Sequence, residues 1–180
     1  MRNFHFPGRS PVLASNGMCA TSHPLAAKVA IDILESGGNA MEAAIAGAVS
    51  LGLCEPQMTG IGGDCFALFN TPGTNEVQGF NGSGRAPAGI SSDALRAAGH
   101  NTIPLNAPEA VTVPGAIDAF CRLSESHGKL GIDALLAPSI HYAKEGIPVA
   151  PRVAYDWPGD AESLSGHAIT HYSKAGEPLG

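Results

Sequence analysis

The sequence lacks the features that mark many binding functions. Only 10 of its 180 residues are Lys or Arg, against 16 Asp and Glu, and the basic residues form no run. Nucleic acids and anionic membrane surfaces need clustered positive charge, so we expect neither as a partner. No stretch approaches the roughly 20 apolar residues that a membrane-spanning helix requires.

Paired cysteines are also missing. None of the four cysteines forms a CxxC pair or has metal-ligand spacing, and each lies among small or apolar residues. The sequence therefore predicts free, buried thiols, no metal site and no cofactor.

The first 17 residues contain Pro7 and Pro11 and have no continuous apolar core of a signal peptide. The expected location is the cytoplasm, with export as the alternative.

What the sequence does have is enough apolar material for one compact core, with 44% hydrophobic residues. Its 23 glycines and 14 prolines predict many turns. Helical spacing of apolar residues is clearest over 24–53, where two alanine-rich helices are separated by Gly37 and Gly38. Asn39 and Glu42 have the spacing of a capping box, which places the start of the second helix.

A glycine-rich stretch, EPQMTGIGGDCFALF, follows these helices over residues 55–69. We expect its glycines to lie where a side chain would obstruct the turn or a neighbour. Residues 65–69 are apolar on both faces and predict a central strand, with 76–81 as its hairpin partner. A second glycine loop, GSGRAPA, begins at Gly82.

Less regular segments follow along the chain. The sequence predicts short strands at 18–20 and 110–113, a helix after Ser91 or Ser92, and two helices over 116–126 and 132–145. A helix is also predicted at 153–157, and 159–180 is predicted to be a polar loop.

Three features are candidate sites. The first glycine loop could hold a phosphate, but it follows a helix and opens a strand, whereas phosphate loops do the reverse. Cys65 could be a nucleophile, but no neighbouring histidine could generate its thiolate. Arg85 could present a bidentate fork to a substrate carboxylate, or it could pair with a structural acid or with solvent.

Residues 22–69 closely resemble the N-terminal signature of the γ-glutamyltranspeptidase family. Further similarity lies in the GSGRAPA, APEAVTVPGAIDAF and LLAPSIHYAKEGIPVAPRVA segments, in the same order. The resemblance implies an α/β N-terminal-nucleophile hydrolase fold, a four-layer αββα sandwich. By the same resemblance, residues 1–180 are the N-terminal part of the large subunit within a single domain.

The resemblance also implies a chemistry. Family members are precursors that cleave themselves, and the new N-terminal threonine of the small subunit forms an acyl-enzyme. That threonine would lie beyond Gly180, so no catalytic residue is expected in this chain. The small subunit released by self-cleavage would be a partner of this chain. The implied substrates are γ-glutamyl or related acyl amides, of the glutathione type. The alternatives are a divergent amidohydrolase similar to cephalosporin acylases, and a non-catalytic binding scaffold.

One departure from the family pattern concerns substrate binding. Typical members carry an arginine three residues ahead of an Ala-Pro pair, where it binds the α-carboxylate of the γ-glutamyl group. Here that position is Ser83, and Arg85 immediately precedes Ala86 and Pro87. Arg85 and Ser83 are therefore the candidate substrate-binding residues. The shift of two residues means that glutathione is not assumed as the substrate.

Overall fold

The computed structural model describes residues 10–105, 107–161, 164, 166–174 and 177–178. The helices are α1 (Pro24–Glu35), α2 (Ala40–Cys54), α3 (Ser92–Ala97), α4 (Ala116–His127), α5 (Ile132–Glu145), α6 (Pro151–Ala161) and α7 (His167–Tyr172). The strands are β1 (Cys65–Asn70), β2 (Val77–Gly82), β3 (Ser173–Lys174) and β4 (Glu177–Pro178). A 3-10 turn occupies Pro108–Ala110.

The α1–α2 hairpin is confirmed, together with its cap. The Asn39 side chain accepts a hydrogen bond from the backbone N–H of Glu42, and the Glu42 carboxylate accepts one from the Asn39 N–H, both at 3.0 Å. Small residues let the two helices approach closely: a Cβ built on Gly47 would lie 3.5 Å from both Ala26 O and Ala30 Cβ. Larger residues at these positions would push the helices apart.

Glu42 also ties α2 to the turn between α4 and α5. Its side chain is completely buried, and Oε1 accepts hydrogen bonds from the N–H groups of Lys129 and Leu130, each at 2.6 Å. Burial by itself raises the pKa of this carboxyl, but the N–H groups of Asn39, Leu130 and Lys129 outweigh it, so the pKa lies below its usual value. Glu42 is therefore a charged, fully buried connection between distant parts of the chain.

The central core lies between α1, α2, α4 and α5. Its buried members include Val29, Ile33, Ile45, Phe120 and Leu135. One polar contact crosses this core, where the hydroxyls of Ser50 on α2 and Ser139 on α5 lie 2.9 Å apart. α5 continues through Pro138, as the sequence predicts.

The hairpin β1–β2 is antiparallel, and within the described residues helices pack against one of its faces. Cys65, Ala67 and Phe69 pack against the core, whereas Phe66 and Leu68 are 66% and 81% exposed. The prediction that both faces of β1 are buried is therefore wrong for the described part of the chain. Successive side chains of a strand point to opposite faces, and α4 packs on one face alone.

Three other sequence predictions are corrected, and a fourth is confirmed. Residues 18–20 form no strand, and 111–113 pass as an extended segment behind the 3-10 turn without joining the sheet. The predicted helix at 153–157 is confirmed as part of the longer α6. The predicted polar loop at 159–180 instead contains the end of α6, α7 and the β3–β4 pair within its described residues. Trp157 stabilises this region by donating from Nε1 to the backbone oxygen of Tyr172 at 2.9 Å.

Candidate substrate-binding loop

The register of the β1–β2 hairpin brings the two glycine loops to the same edge of the sheet. Cys65, the first residue of β1, pairs with Gly82, the last residue of β2. The stretch before β1 and the stretch after β2 must therefore lie side by side. Both loops are visible in the sequence, but only the pairing register makes them neighbours.

A third segment, residues 111–116, completes this edge. Val113 N–H donates to the backbone oxygen of Arg85 at 2.9 Å, and the Thr112 hydroxyl donates to that of Ser83 at 3.2 Å. The N–H groups of Gly115 and Ala116 both donate to the backbone oxygen of Gly63, at 3.0 and 3.1 Å. The strand pattern at 110–113 gives no sign of these contacts with the two glycine loops.

Glycines at this edge are required by close packing. A Cβ on Gly84, whose φ is +75°, would lie 2.0 Å from the backbone oxygen of Val113. A Cβ on Gly115 would lie 2.3 Å from the backbone oxygen of Gly82, and one on Gly82 would lie 2.6 Å from Ala119 Cβ. The loop at 82–85 is thus held at fixed positions against the start of α4.

Arg85 leaves this fixed backbone with an exposed side chain. Within the described residues its guanidinium forms no ion pair with a structural acid, although its own backbone oxygen is hydrogen-bonded. Ser83 is half-buried; its N–H donates to Asn81 Oδ1 at 3.0 Å, and its hydroxyl lies 3.5 Å from the backbone oxygen of Gly84. The geometry offers a cation and a hydroxyl on a loop whose backbone is braced from one side.

The first glycine loop is a turn whose glycines are not crowded in the described part of the chain. A Cβ on Gly60 or Gly62 would meet nothing within 4 Å, so the expected obstruction at these positions is not found. The backbone oxygen of Gly63 accepts hydrogen bonds from the N–H groups of Gly115 and Ala116, so these N–H groups at the start of α4 are already paired. That arrangement favours a structural turn over a phosphate cradle.

The cysteine thiols do not resemble nucleophiles. Burial, followed by the Glu55 charge, raises the pKa of Cys54 to about 11. Burial and the nearby Asp64 charge also raise the pKa of Cys65. A thiol whose pKa is raised is protonated at neutral pH, which agrees with a structural role for Cys65.

Two histidines lie on the same side of one short helix. His167 and His171 lie four residues apart on α7, with ring centroids 6.5 Å apart, and His171 Nδ1 lies 2.8 Å from the backbone oxygen of His167. No group of three or more His, Cys, Asp or Glu side chains in the described ranges could hold a metal ion.

In the same ranges, no helix has the length and hydropathy to cross a membrane.

Comparison with known proteins agrees with this geometry. A profile described as gamma-glutamyltranspeptidase matches residues 26–177. The glutathione hydrolase-like YwrD proenzyme of Bacillus subtilis is 36% identical over 140 residues, 77% of this chain and 26% of that protein. The cephalosporin acylase structure from Bacillus halodurans shares 43% identity with a TM-score of 0.81, covering 96% of this chain and 31% of that one. The γ-glutamyltranspeptidase structure from Helicobacter pylori is 24% identical with a TM-score of 0.82, over 94% and 50%.

The hairpin covered by helices on one face is the N-terminal portion of an N-terminal-nucleophile hydrolase fold, the four-layer αββα sandwich. The chain belongs to the γ-glutamyltranspeptidase family. It spans about a quarter of the length of the curated relative and about a third of the acylase chain.

Proposed function

We propose that this chain is the N-terminal part of an autoprocessing enzyme that hydrolyses or transfers γ-glutamyl or related acyl groups. The acyl-enzyme would form on a threonine that lies outside these 180 residues, after self-cleavage into a large and a small subunit. The observation that carries the proposal is the exposed guanidinium of Arg85, presented by a braced glycine loop in a member of this family. A related protein named as glutathione hydrolase-like supports the substrate class.

In this proposal Arg85 binds the carboxylate of the acyl group. A guanidinium donates two parallel hydrogen bonds to a carboxylate, which fixes both the position and the orientation of the substrate. Ser83 would supply a further hydroxyl contact. Because the backbone of Ser83 and Arg85 is held by Thr112 and Val113, the loop would bind without first having to be ordered.

The acylase alternative has its own support. The solved cephalosporin acylase is 43% identical to this chain, whereas the glutathione hydrolase-like relative is 36% identical. In addition, the arginine lies two residues from the position at which typical family members carry it. An acyl group without the α-amino acid end of glutamate is therefore the second candidate substrate.

Expression of the full-length protein tests the enzyme proposal. We expect it to cleave itself into two chains, with Thr, Ser or Cys as the first residue of the smaller chain. We also expect turnover of a γ-glutamyl anilide or, for the second candidate, of an acyl-amide cephalosporin analogue. A full-length protein that neither cleaves itself nor turns over either substrate class would be a non-catalytic scaffold.

Replacing Arg85 with alanine should raise the KM for a γ-glutamyl substrate by about tenfold or more, because a charge-assisted bidentate contact is lost. Arg85→Lys should recover only part of this loss, since an ammonium cannot form the planar fork. Arg96→Ala is the matched control. That arginine is also exposed, but it pairs with Asp93 on α3.

Steady-state kinetics of the processed enzyme provide the measurement. A KM for Arg85→Ala equal to that of the unmodified enzyme would assign Arg85 to the scaffold. An equal rise in Arg96→Ala would instead indicate a general effect of surface charge.

A further inference from the structure

A second charged residue lies at the same edge of the sheet as the Arg85 loop. Asp64 ends the first glycine loop directly before β1, and it is exposed. Among the described residues it forms no ion pair, and neither does Arg85. Two charges of opposite sign therefore stand at this edge without a structural partner in the described part of the chain, and both are accessible to a ligand.

The register of the hairpin places Asp64 beside the start of the Arg85 loop. Cys65 pairs with Gly82 at the end of the ladder. One position further out, Asp64 therefore lies opposite Ser83. The Cys65 side chain packs against the core, and a Cβ on Gly82 would lie 2.6 Å from Ala119 Cβ on α4. Because successive side chains of an extended chain alternate between faces, Asp64 and Ser83 share the opposite face of the hairpin.

Gly115 brings the backbone before Arg85 close to the backbone before Asp64. Its N–H donates to the backbone oxygen of Gly63 at 3.0 Å, and a Cβ on it would lie 2.5 Å from the backbone nitrogen of Gly84. With standard bond lengths, that oxygen and that nitrogen are no more than about 8 Å apart. Since an arginine side chain is long, the carboxylate of Asp64 and the guanidinium of Arg85 can contact the two ends of one small ligand.

A ligand that matches both charges carries a carboxylate and an ammonium group close together, as an α-amino acid does. We propose that Asp64 and Arg85 together bind the amino-acid end of the acyl donor. The guanidinium of Arg85 donates to the α-carboxylate, and the α-ammonium donates to the carboxylate of Asp64. Asp64 is then a specificity-determining residue. The inference rests on the proposed function, and it favours a γ-glutamyl group over an acyl group that lacks the α-amino group.

The acceptor of a transfer reaction is the other source of an amino-acid group, but its chemistry does not suit this pair. An acceptor amine attacks the acyl-enzyme through its lone pair, and an ammonium group held by a carboxylate has no lone pair. The donor keeps its α-ammonium throughout, because its reacting carbonyl is at the other end of the glutamyl chain. The charges therefore fit the donor.

Binding of L-glutamate and of glutarate to the full-length protein, measured by isothermal titration calorimetry, tests the pair. Glutarate has the same carbon chain and both carboxylates but no ammonium group, so the unmodified protein should bind glutamate more tightly. We expect Asp64→Asn to raise the Kd for glutamate by about tenfold and to leave the Kd for glutarate unchanged. Arg85→Ala should raise both Kd values, because both ligands carry the carboxylate.

Glu76→Gln is the matched control. Glu76 is exposed at the far end of the same hairpin, and its replacement changes the net charge by the same amount, so both Kd values should stay as they are. Equal rises in both Kd values for Asp64→Asn would assign Asp64 to the scaffold of the loop and overturn the proposal. Unchanged Kd values for Asp64→Asn, or an unmodified protein that does not bind glutamate, would overturn it as well.

Kinetics of the processed enzyme give a second readout. Asp64→Asn should raise the KM for a γ-glutamyl anilide by about tenfold and leave the KM for a glutaryl anilide unchanged. Equal changes in the two KM values would contradict a contact with the α-ammonium. A full-length protein that binds glutamate through Asp64 but neither cleaves itself nor turns over an anilide would contradict the proposed function and leave the binding pair standing.

Discussion

Replacing Glu42 with glutamine should lower the free energy of unfolding by about 3 kcal/mol. Both carboxylate oxygens act as acceptors, Oε1 for the N–H groups of Lys129 and Leu130 and Oε2 for that of Asn39. A glutamine retains one acceptor, and its NH2 group would face a backbone N–H donor. The side chain is completely buried, so water cannot pair the groups left over.

Urea unfolding followed by circular dichroism measures this loss. Glu125→Gln is the matched control, because Glu125 is exposed on α4 and should change the stability little. If the two variants unfold at the same urea concentration, the buried contacts of Glu42 contribute no net stability.

The same contacts predict that the free energy of unfolding depends on pH in the acid range. The pKa of Glu42 in the folded protein lies below its ordinary value of 4.5, so the unfolded state binds the proton more readily. The stabilisation is therefore complete above the ordinary pKa and is lost as the pH falls through the folded pKa. The stability difference between the unmodified protein and Glu42→Gln should shrink below about pH 4.5. A difference that stays constant down to strongly acidic pH would contradict the charged form as its source.

Replacing Gly84 with alanine should have the largest effect on the candidate site. The new Cβ would lie 2.0 Å from the backbone oxygen of Val113, and the residue has a φ of +75°. The backbone must move by about 1 Å to relieve this overlap, and a displacement of that size can cost a hundredfold in rate. In a processed, active enzyme we expect kcat/KM for an acyl amide to fall by about a hundredfold.

Gly73→Ala separates this collision from backbone strain. Gly73 also has a positive φ, of +81°, but a Cβ there would meet nothing within 4 Å. Gly73→Ala should lower the free energy of unfolding only by the roughly 1–2 kcal/mol that an alanine in the left-handed conformation costs. Its kcat/KM should be unchanged. Equal kcat/KM for both variants and the unmodified enzyme would show that the loop beside Val113 does not position the substrate.

Local chemistry explains why the sequence predicts the helical part of this fold well. The spacing of apolar residues over 24–53, the capping box of Asn39 and Glu42 and the glycines between the helices act within a few residues of each other. These short-range patterns determine α1 and α2 to within a few residues. The motifs of its segments and their order were also enough to suggest the family, which the comparisons confirm.

Longer-range contacts explain the failures. Residues 111–113 have the composition of a strand, but their partners are the backbone oxygens of Ser83 and Arg85, in a loop almost 30 residues earlier. The GIGGD glycines stand out in the sequence, yet the glycines that are crowded at this edge of the sheet are Gly82, Gly84 and Gly115. A sequence shows where glycine occurs but not which neighbouring backbone approaches it.

The sequence by itself determined the helical hairpin, the strand that follows it and the displaced arginine of the second glycine loop, because each depends on residues close in the chain. Only the tertiary structure decided that Arg85 stands on a loop braced by Thr112 and Val113, and that Glu42 joins α2 to the turn at Lys129 and Leu130. These contacts join residues between about 30 and 90 positions apart. Their geometry is set by the packing of whole helices against the hairpin, which no local pattern of residues encodes.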